Sequence, residues 1–363
     1  MNYFFMLLLT FFLGNCFTIY MTVKHIIPAN FKMIFTLILI GISSLMYLYV
    51  IRSRYFSANF SYEVNQILSY IVYYFMASII YGGLLYIVAF GGNLILKNRV
   101  GIDLYKFVIP TVAILLIVGT YFKWSTVVEE YEINGEGRFK EPLNIVLISD
   151  IHLGYINGNS SMVKLVETVN SLNPDIVLVA GDTVDMHLKP VIEKNMLENF
   201  KDIKSRYGVF VNIGNHDIYG GGVKEFTDRL NSFENVTVLR DSKVLIDDSF
   251  YVASRDNFSK QPLREILKES GDKPVLYMEH TPDSIDETVE NKVFLQVSGH
   301  THKGQFFPGG LFTKRIFKLD YGYRKFQDTN VIVSSGYGTW GPPIRVGTQS
   351  EVVLIKVRVT TQL

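Results

Sequence analysis

The first third of the chain is nearly all apolar and aromatic, and this constrains its folding more than any other feature. Apolar runs span Tyr3 to Val23, Met33 to Ile51, Ile67 to Leu94 and Leu104 to Tyr121. Each is close to, or longer than, the roughly 20 residues that carry an α-helix across a bilayer core. Helices of a soluble bundle keep a polar face, and these runs scarcely have one. A four-helix transmembrane domain is therefore expected over residues 1–122. The third run contains Gly82-Gly83 and Gly91-Gly92, so its ends are the least defined. A cleaved secretory signal is a poor reading of the first run, which lacks a basic start and a small-residue cleavage site and precedes three more runs. Few ionisable residues lie within the runs, so they read as an anchor and not as a transport path.

Loop charges set the expected orientation. Lys24, Lys32, Lys97, Arg99 and Lys106 flank the loops after the first and third helices, against Arg52, Arg54 and Lys123 on the other side. The positive-inside bias puts the first set in the cytoplasm and both termini outside, which makes the C-terminal part extracytoplasmic. Tyr121 and Trp124 suit an interfacial aromatic belt.

The remainder reads as an ordinary globular domain. A net charge of +1 gives no sign of a nucleic-acid partner. Cys16 is the single cysteine, which excludes an intrachain disulfide and a thiolate zinc site. Residues 123–142 are polar, with Gly135 and Gly137 marking a turn, and are expected to hold a linker and a first strand. Beyond them, Leu143 to Ser149, Ile176 to Ala180, Val209 to Ile213, Val275 to Met278 and Val293 to Val297 are compact β-branched runs that read as buried strands. Ser161 to Leu172, Val191 to Arg206, Val223 to Phe233 and Leu263 to Glu269 look helical. That alternation predicts a layered α/β domain. Val331 to Ser334 and Val352 to Val359 are expected to add antiparallel strands.

Five short motifs each follow an apolar run: Ser149-Asp150-Ile151-His152, Gly181-Asp182-Thr183-Val184-Asp185, Gly214-Asn215-His216-Asp217, His280, and Gly299-His300-Thr301-His302. In open α/β sheets, loops at the carboxyl ends of strands converge on one crevice. Asp150 and His152 can turn toward one ion, and the two oxygens of Asp182 can bridge two metals about 3.5–4 Å apart. Asn215 offers a carbonyl oxygen, and His280, His300 and His302 offer ring nitrogens. Carboxylate, amide and imidazole ligation without thiolate suits Mn, Fe, Zn or Co. Asp217 reads as structural, Asn212 as a strand residue, and Gly220-Gly221-Gly222 as a turn without P-loop context. His187 carries little functional weight.

Together these motifs resemble those of the calcineurin-like metallophosphoesterase superfamily, whose Asp-x-His, Gly-Asp-x-x-Asp, Gly-Asn-His-(Glu/Asp), His and Gly-His-x-His elements are all present. Gly304-Gln305 and the tail from Ser334 to Arg345, SSGYGTWGPPIR, resemble the bacterial membrane-associated branch of YkuE-like, YaeI-like and YkoQ-like phosphoesterases. Lys303 stands where many relatives have Gly, and Glu279-His280-Thr281-Pro282-Asp283 replaces the more usual Ala-His-Asn-Pro-Asp. The resemblance implies a four-layer α/β/β/α sandwich over residues 143–363. It assigns Asp150, His152 and His302 to a first metal and Asn215, His280 and His300 to a second, with Asp182 bridging. It further implies attack by a hydroxide held between the ions, Mn foremost, proton donation by His216, and a hydrogen bond from Asp185 that orients His216. Lys303, Gln305, Tyr321 and Arg324 are candidates for the substrate-facing rim.

The expected activity is hydrolysis of a phosphomonoester, phosphodiester or pyrophosphate, with a lipid-linked substrate suggested by the membrane tether. The expected location is the bacterial plasma membrane, as a multi-pass protein. A membrane sensor or scaffold with a non-catalytic phosphoesterase module is the alternative. The full set of ligand residues speaks against it, and the charge balance and tether disfavour a nuclease.

Overall fold

In a computed structural model the backbone is described at residues 2–55 and 60–359, and side chains at 9–51, 60–96 and 101–359. The chain divides into two compact units, Met1–Thr120 with Gly341–Pro343 and Tyr121–Trp340 with Ile344–Leu363.

Four long helices build the first unit: α1 (Asn2–His25), α2 (Lys32–Tyr55), α3 (Tyr62–Val100) and α4 (Val108–Trp124). Among the described residues, 29–51, 62–96 and 104–124 are long and apolar enough to cross a bilayer. The run from Tyr3 is helical, but its first side chains lie outside the described residues, as do those of Arg52, Arg54, Lys97 and Arg99. The glycine pairs do not interrupt α3, which continues for 39 residues. They serve packing instead: a Cβ at Gly82 would lie 3.0 Å from Thr18 Cγ2 of α1. Small residues allow such close approach between apolar helices. Around a small apolar cluster of Met21, Tyr86, Ala89, Tyr105 and Val108, this unit exposes many large apolar side chains and buries some polar ones. Leu9, Leu45, Ile87 and Ile117 are exposed, while Asn15, Ser43, Asn65 and Ser69 are buried.

The second unit contains β1 (Val127–Asn134), β2 (Leu143–Ile148), β3 (Ile176–Val179), β4 (Val209–Val211), β5 (Val236–Val238) and β6 (Ser242–Ile246). It continues with β7 (Phe250–Arg255), β8 (Val275–Glu279), β9 (Leu295–Ser298), β10 (Gly322–Phe326), β11 (Thr329–Val333) and β12 (Glu351–Arg358). They form two six-stranded sheets, in the orders β1-β12-β2-β3-β4-β5 and β10-β11-β9-β8-β7-β6. Both are mixed. β2 through β5 run parallel, as do β7, β8, β9 and β11. Parallel strands covered on both faces become almost continuously apolar, which is why these runs stood out in the sequence.

The two late strands differ from expectation. β11 is antiparallel to β10 but parallel to β9, and β12 is antiparallel to β2 but parallel to β1. Much of the 123–142 stretch is β1, paired with β12 over eight residues. Its charges line an edge, where Glu130 meets Lys356 and Glu132 meets Arg358. The helix expected over 191–206 divides into Leu188–Glu193 and a 3-10 segment, Met196–Asp202, because Asn195 between them is left-handed at φ 51°.

Alternate residues of the central strands face a shared core. Ile145, Leu147, Ile176 and Leu178 of one sheet pack with Val252, Leu276, Met278, Leu295 and Val297 of the other. On its other face, the second sheet packs Tyr277 and Ala253 against Leu263 and Ile266, and Val331 and Val333 against Ile285. Fixed sheets hold the ends of β2, β3, β4, β8 and β9 in place, and those ends carry the motifs.

Candidate metal centre

Sharp backbone reversals at the strand ends place the polar side chains. Asp150, His152, Asp182, His300 and His302 all have left-handed backbones, with φ of 53°, 52°, 53°, 70° and 49°. Such conformations cost L-residues about 1 kcal/mol or more each, so the surrounding structure must hold them. The loops after β2 and β3 are tied together where the N–H of Asp150 donates to Gly181 O and that of His152 to Asp182 O, both at 3.0 Å. The motif glycines leave room for the acids. A Cβ at Gly214 would sit 2.2 Å from Asp182 Oδ1, and one at Gly299 2.2 Å from Asp150 Oδ2.

Three donor clusters result among the described residues: Asp150, His152 and His302; Asp182, His280 and His300; and His152, Asp182 and His216. In the first, Asp150 Oδ1 lies 3.2 Å from His302 Nε2, and His152 Nε2 lies 3.2 Å from the same nitrogen. In the second, Asp182 Oδ2 lies 3.0 Å from His280 Nε2, which is 3.2 Å from His300 Nδ1. Asp182 Oδ2 is also 3.8 Å from His152 Nε2, so one oxygen faces the first two clusters. Its Oδ1 accepts the backbone N–H of His216 at 2.8 Å.

The donor chemistry fits divalent cations. His280 Nδ1 lies 2.8 Å from Ala180 O, an acceptor only, so Nδ1 carries a hydrogen and Nε2 is the ring nitrogen that faces Asp182. Two acceptors 3.0 Å apart require a proton or a metal between them. Burial alone would lower the His280 pKa, but Asp182 and Asp150 outweigh it and push it up to about 10. Asp150 shows the reverse balance: burial raises its pKa, and His302, His280 and His152 together hold it well below the usual carboxylate range. His300 and His302 fall to about 4, because burial disfavours their charged forms and neighbouring histidines repel them. His300 and His302 are thus held uncharged beside ionised carboxylates, the forms that ligate metal, whereas His280 must give up a proton to do so. Asn215 Oδ1 is buried with no hydrogen-bond partner among the described residues, so it too is available as a metal donor.

His216 lies beside the first group, with its ring edge-on to His152 at 4.7 Å between centroids. The pairing expected between it and the Asp185 carboxylate is not the one found. His216 Nδ1 donates to the backbone carbonyl of Asp185 at 3.0 Å, with Oδ1 3.5 Å away. That carboxylate oxygen sits nearer to His152 Nδ1, at 3.3 Å. Asp217 braces the loop by accepting the N–H of Val184 and of Gly214, each at 2.8 Å.

The rim candidates separate into three kinds. Lys303 and Tyr321 line a cavity of about 310 Å³ together with Glu129, Ser335 and Glu351, and the Lys303 ammonium lies 3.9 Å above the Tyr321 ring. Gln305 is buried and its amide clasps the Trp340 backbone, donating to Trp340 O at 3.0 Å and accepting from Trp340 N at 3.2 Å, so it holds the loop and does not face a substrate. Arg324 is exposed on β10, with its guanidinium toward Lys318 O and the Phe326 ring.

Three further residues escaped the sequence reading. Tyr219 and Phe258 are exposed aromatics 6.0 Å apart, with Tyr219 next to His216, and no motif marks them. Arg345, noticed only as part of the tail, is fully buried and donates through Nη2 to the carbonyls of Ser335, Gly336 and Gly338. Gly338 N in turn donates to Asp150 O at 2.7 Å, so Arg345 fastens the strap that wraps Asp150.

Residues 143–304 match the family model described as calcineurin-like phosphoesterase, and the chain belongs to this metallophosphoesterase family. It is 30% identical over 260 residues to an uncharacterized metallophosphoesterase of Aquifex aeolicus, covering 68% of this chain and 98% of that protein. It is 32% identical over 231 residues to an uncharacterized metallophosphoesterase of Helicobacter pylori, of which it spans 61%. A Danio rerio protein named "Transmembrane protein with metallophosphoesterase domain" is 29% identical over 235 residues, covering 60% of this chain and 53% of that one. Family and geometry together imply a dinuclear divalent-metal site.

Proposed function

We propose that this chain is a membrane-anchored phosphoesterase that works with two divalent metals, Mn ahead of Fe, Zn or Co. Its substrate is a phosphomonoester, phosphodiester or pyrophosphate, carried on a lipid. The observation that bears most weight is Asp182 Oδ2, one carboxylate oxygen 3.0 Å from His280 and 3.8 Å from His152. Asp150, His152 and His302 hold one ion; Asn215, His280 and His300 hold the other. When bound, the pair supplies Lewis-acid charge and an acidified water. His216 has its Nδ1 hydrogen fixed by Asp185 O, which leaves Nε2 to move a proton at the leaving oxygen. Asp185 orients His216 through its backbone carbonyl, and its carboxylate lies between His216 and His152. Lys303 and Tyr321 meet the non-reacting part of the substrate.

In this reading the chain has a transmembrane bundle over 1–122, a connecting stretch over 123–142 and a four-layer α/β/β/α catalytic domain over 143–363. The large apolar side chains exposed on the helical unit support the bundle, as does the name of the zebrafish relative. The excess of Lys24, Lys32, Lys97, Arg99 and Lys106 over Arg52, Arg54 and Lys123 supports an extracytoplasmic domain in a plasma membrane. Labelling a surface cysteine in a Cys16→Ser background with an impermeant maleimide tests the orientation; reaction only after lysis would reverse it.

Elemental analysis of the purified protein, followed by a screen of monoesters, diesters and lipid pyrophosphates, tests the activity. Two ions per chain with hydrolysis of one class is the expected result. A fully metallated protein inert toward every class would favour the sensor or scaffold reading.

A further inference from the structure

The helix Gly309–Ile316 has no buried residue. With the turn before it, it displays Phe307, Leu311, Phe312 and Ile316 at 58%, 49%, 61% and 71% exposure. A contiguous apolar patch of this kind on a folded surface marks a place where something docks. The charge around it is equally uneven. From Lys303 to Phe326 the chain carries six Lys or Arg against a single acid, Asp320, within a protein of net charge +1. That acid accepts the Thr313 hydroxyl at 2.8 Å. Of the six, Lys318 pairs with Asp286, whereas Lys314, Arg315, Arg324 and Lys325 have no ion pair among the described residues.

The patch is mechanically part of the metal centre. A Cβ at Gly304 would lie 2.0 Å from Gly310 N, so the start of the helix presses on the turn that follows His302. The Phe317 ring meets the His300 ring edge-on at 6.1 Å. One continuous segment therefore bears two candidate ligands, the apolar face and the cationic flank.

Exposed aliphatic and aromatic residues bordered by unpaired cations complement an anionic lipid surface, which offers hydrocarbon below and phosphate above. A protein partner would need acidic and apolar groups in register, and nothing in the segment favours that arrangement. Two residues, Ser125 and Thr126, separate the end of α4 from β1, so the tether of the anchored reading keeps the local lipid concentration high and a small patch is sufficient. We propose that the face from Phe307 to Ile316 inserts into an anionic bilayer surface and brings the metal centre onto phosphoesters in its headgroup layer. This proposal deepens the lipid-linked reading above and rests on it for the substrate, though not for the insertion.

Insertion can be read without turnover. In full-length Cys16→Ser protein, Phe312→Cys is labelled with nitrobenzoxadiazole and reconstituted in phosphatidylcholine nanodiscs with or without phosphatidylglycerol. A label at exposed Glu234→Cys serves as control. Lipids brominated on their acyl chains should quench the label at 312 and not that at 234, more strongly with phosphatidylglycerol present. Equal quenching at both sites overturns the proposal. So does a label at 312 shielded from aqueous iodide yet untouched by brominated lipid, which would mean that protein covers the face. In the second arm, Phe312→Ser with Ile316→Ser should slow hydrolysis of a lipid-embedded phosphoester about tenfold and leave a soluble nitrophenyl ester within about twofold. Equal losses on both substrates would overturn the link to substrate. If no ester is hydrolysed by any form, the phosphoesterase reading fails while the quenching result still decides insertion.

Discussion

The two sheets of the C-terminal unit contribute different chemistry to the same crevice. Loops of the first sheet, after β2, β3 and β4, present Asp150, His152, Asp182, Asn215 and His216. Loops of the second, after β8 and β9, present only imidazoles: His280, His300 and His302. One donor cluster, His152, Asp182 and His216, comes from the first sheet alone, whereas the other two cross between the sheets. Asp150 and His152 need His302 from across the seam, while His280 and His300 need Asp182 from across it. Direct hydrogen bonds tie the halves together, His280 Nδ1 donating to Ala180 O at 2.8 Å and His300 N to the Asp150 carboxylate at 3.1 Å. The negative charge therefore lies on one sheet and most of the neutral donors on the other. Metal binding should act as a clamp between two layers that the apolar core already packs.

If this division is correct, the most damaging single change is Asp182→Asn. It should empty both metal sites together and reduce hydrolysis to background, as read by elemental analysis beside an activity assay. Retention of one full equivalent would mean that the two groups are independent. Next in size is His216→Ala, on the first sheet but outside both expected ligand sets. Metal content should persist while turnover falls roughly 100- to 10,000-fold, the usual scale of general acid–base help. The loss should shrink for nitrophenyl leaving groups, and loss of metal would instead make His216 a ligand.

Asp185→Asn sharpens the comparison within the first sheet. With the carboxylate oxygen 3.3 Å from His152 Nδ1 and 3.5 Å from His216 Nδ1, metal affinity should fall about 10- to 100-fold, the typical effect of disturbing the surroundings of a ligand, while the pH profile of the metal-saturated protein barely moves. A shifted profile with unchanged affinity would restore the carboxylate to His216. The gentlest test is chelation. Binding across the seam should stabilise the C-terminal unit by about 2.7 kcal/mol at a free metal concentration of 100 Kd, seen as a higher Tm in thermal scans with metal than with chelator. An unchanged Tm would show that the sheets dock without a clamp.

Much of this was legible from residue order. The buried strands β2, β3, β8 and β9 appeared as largely apolar runs because both faces are covered, whereas β5, β6, β7 and β10 were not anticipated; β5, β6 and β10 are short and partly exposed, and β7 is buried but ends in Ser254-Arg255. Local rules also misjudged the glycine pair at 82–83, read as a doubtful helix end, because its purpose is the approach of Thr18 from another helix. The helix break at Asn195 likewise depends on a left-handed residue that periodicity does not register.

By itself, then, the sequence determined the apolar N-terminal helices, the α/β character of the rest and the stock of carboxylate, amide and imidazole donors at strand ends. These follow from periodicity and residue chemistry, which act over a few neighbouring positions. Only the tertiary structure decided how donors 150 residues apart, such as His152 and His302, come within 3.2 Å. It also decided that His216 bonds the backbone carbonyl of Asp185, that Gln305 clasps a backbone, and that Phe312 and Ile316 stay exposed. Those outcomes depend on distances across packed sheets, where differences of a few tenths of an ångström select one partner over another.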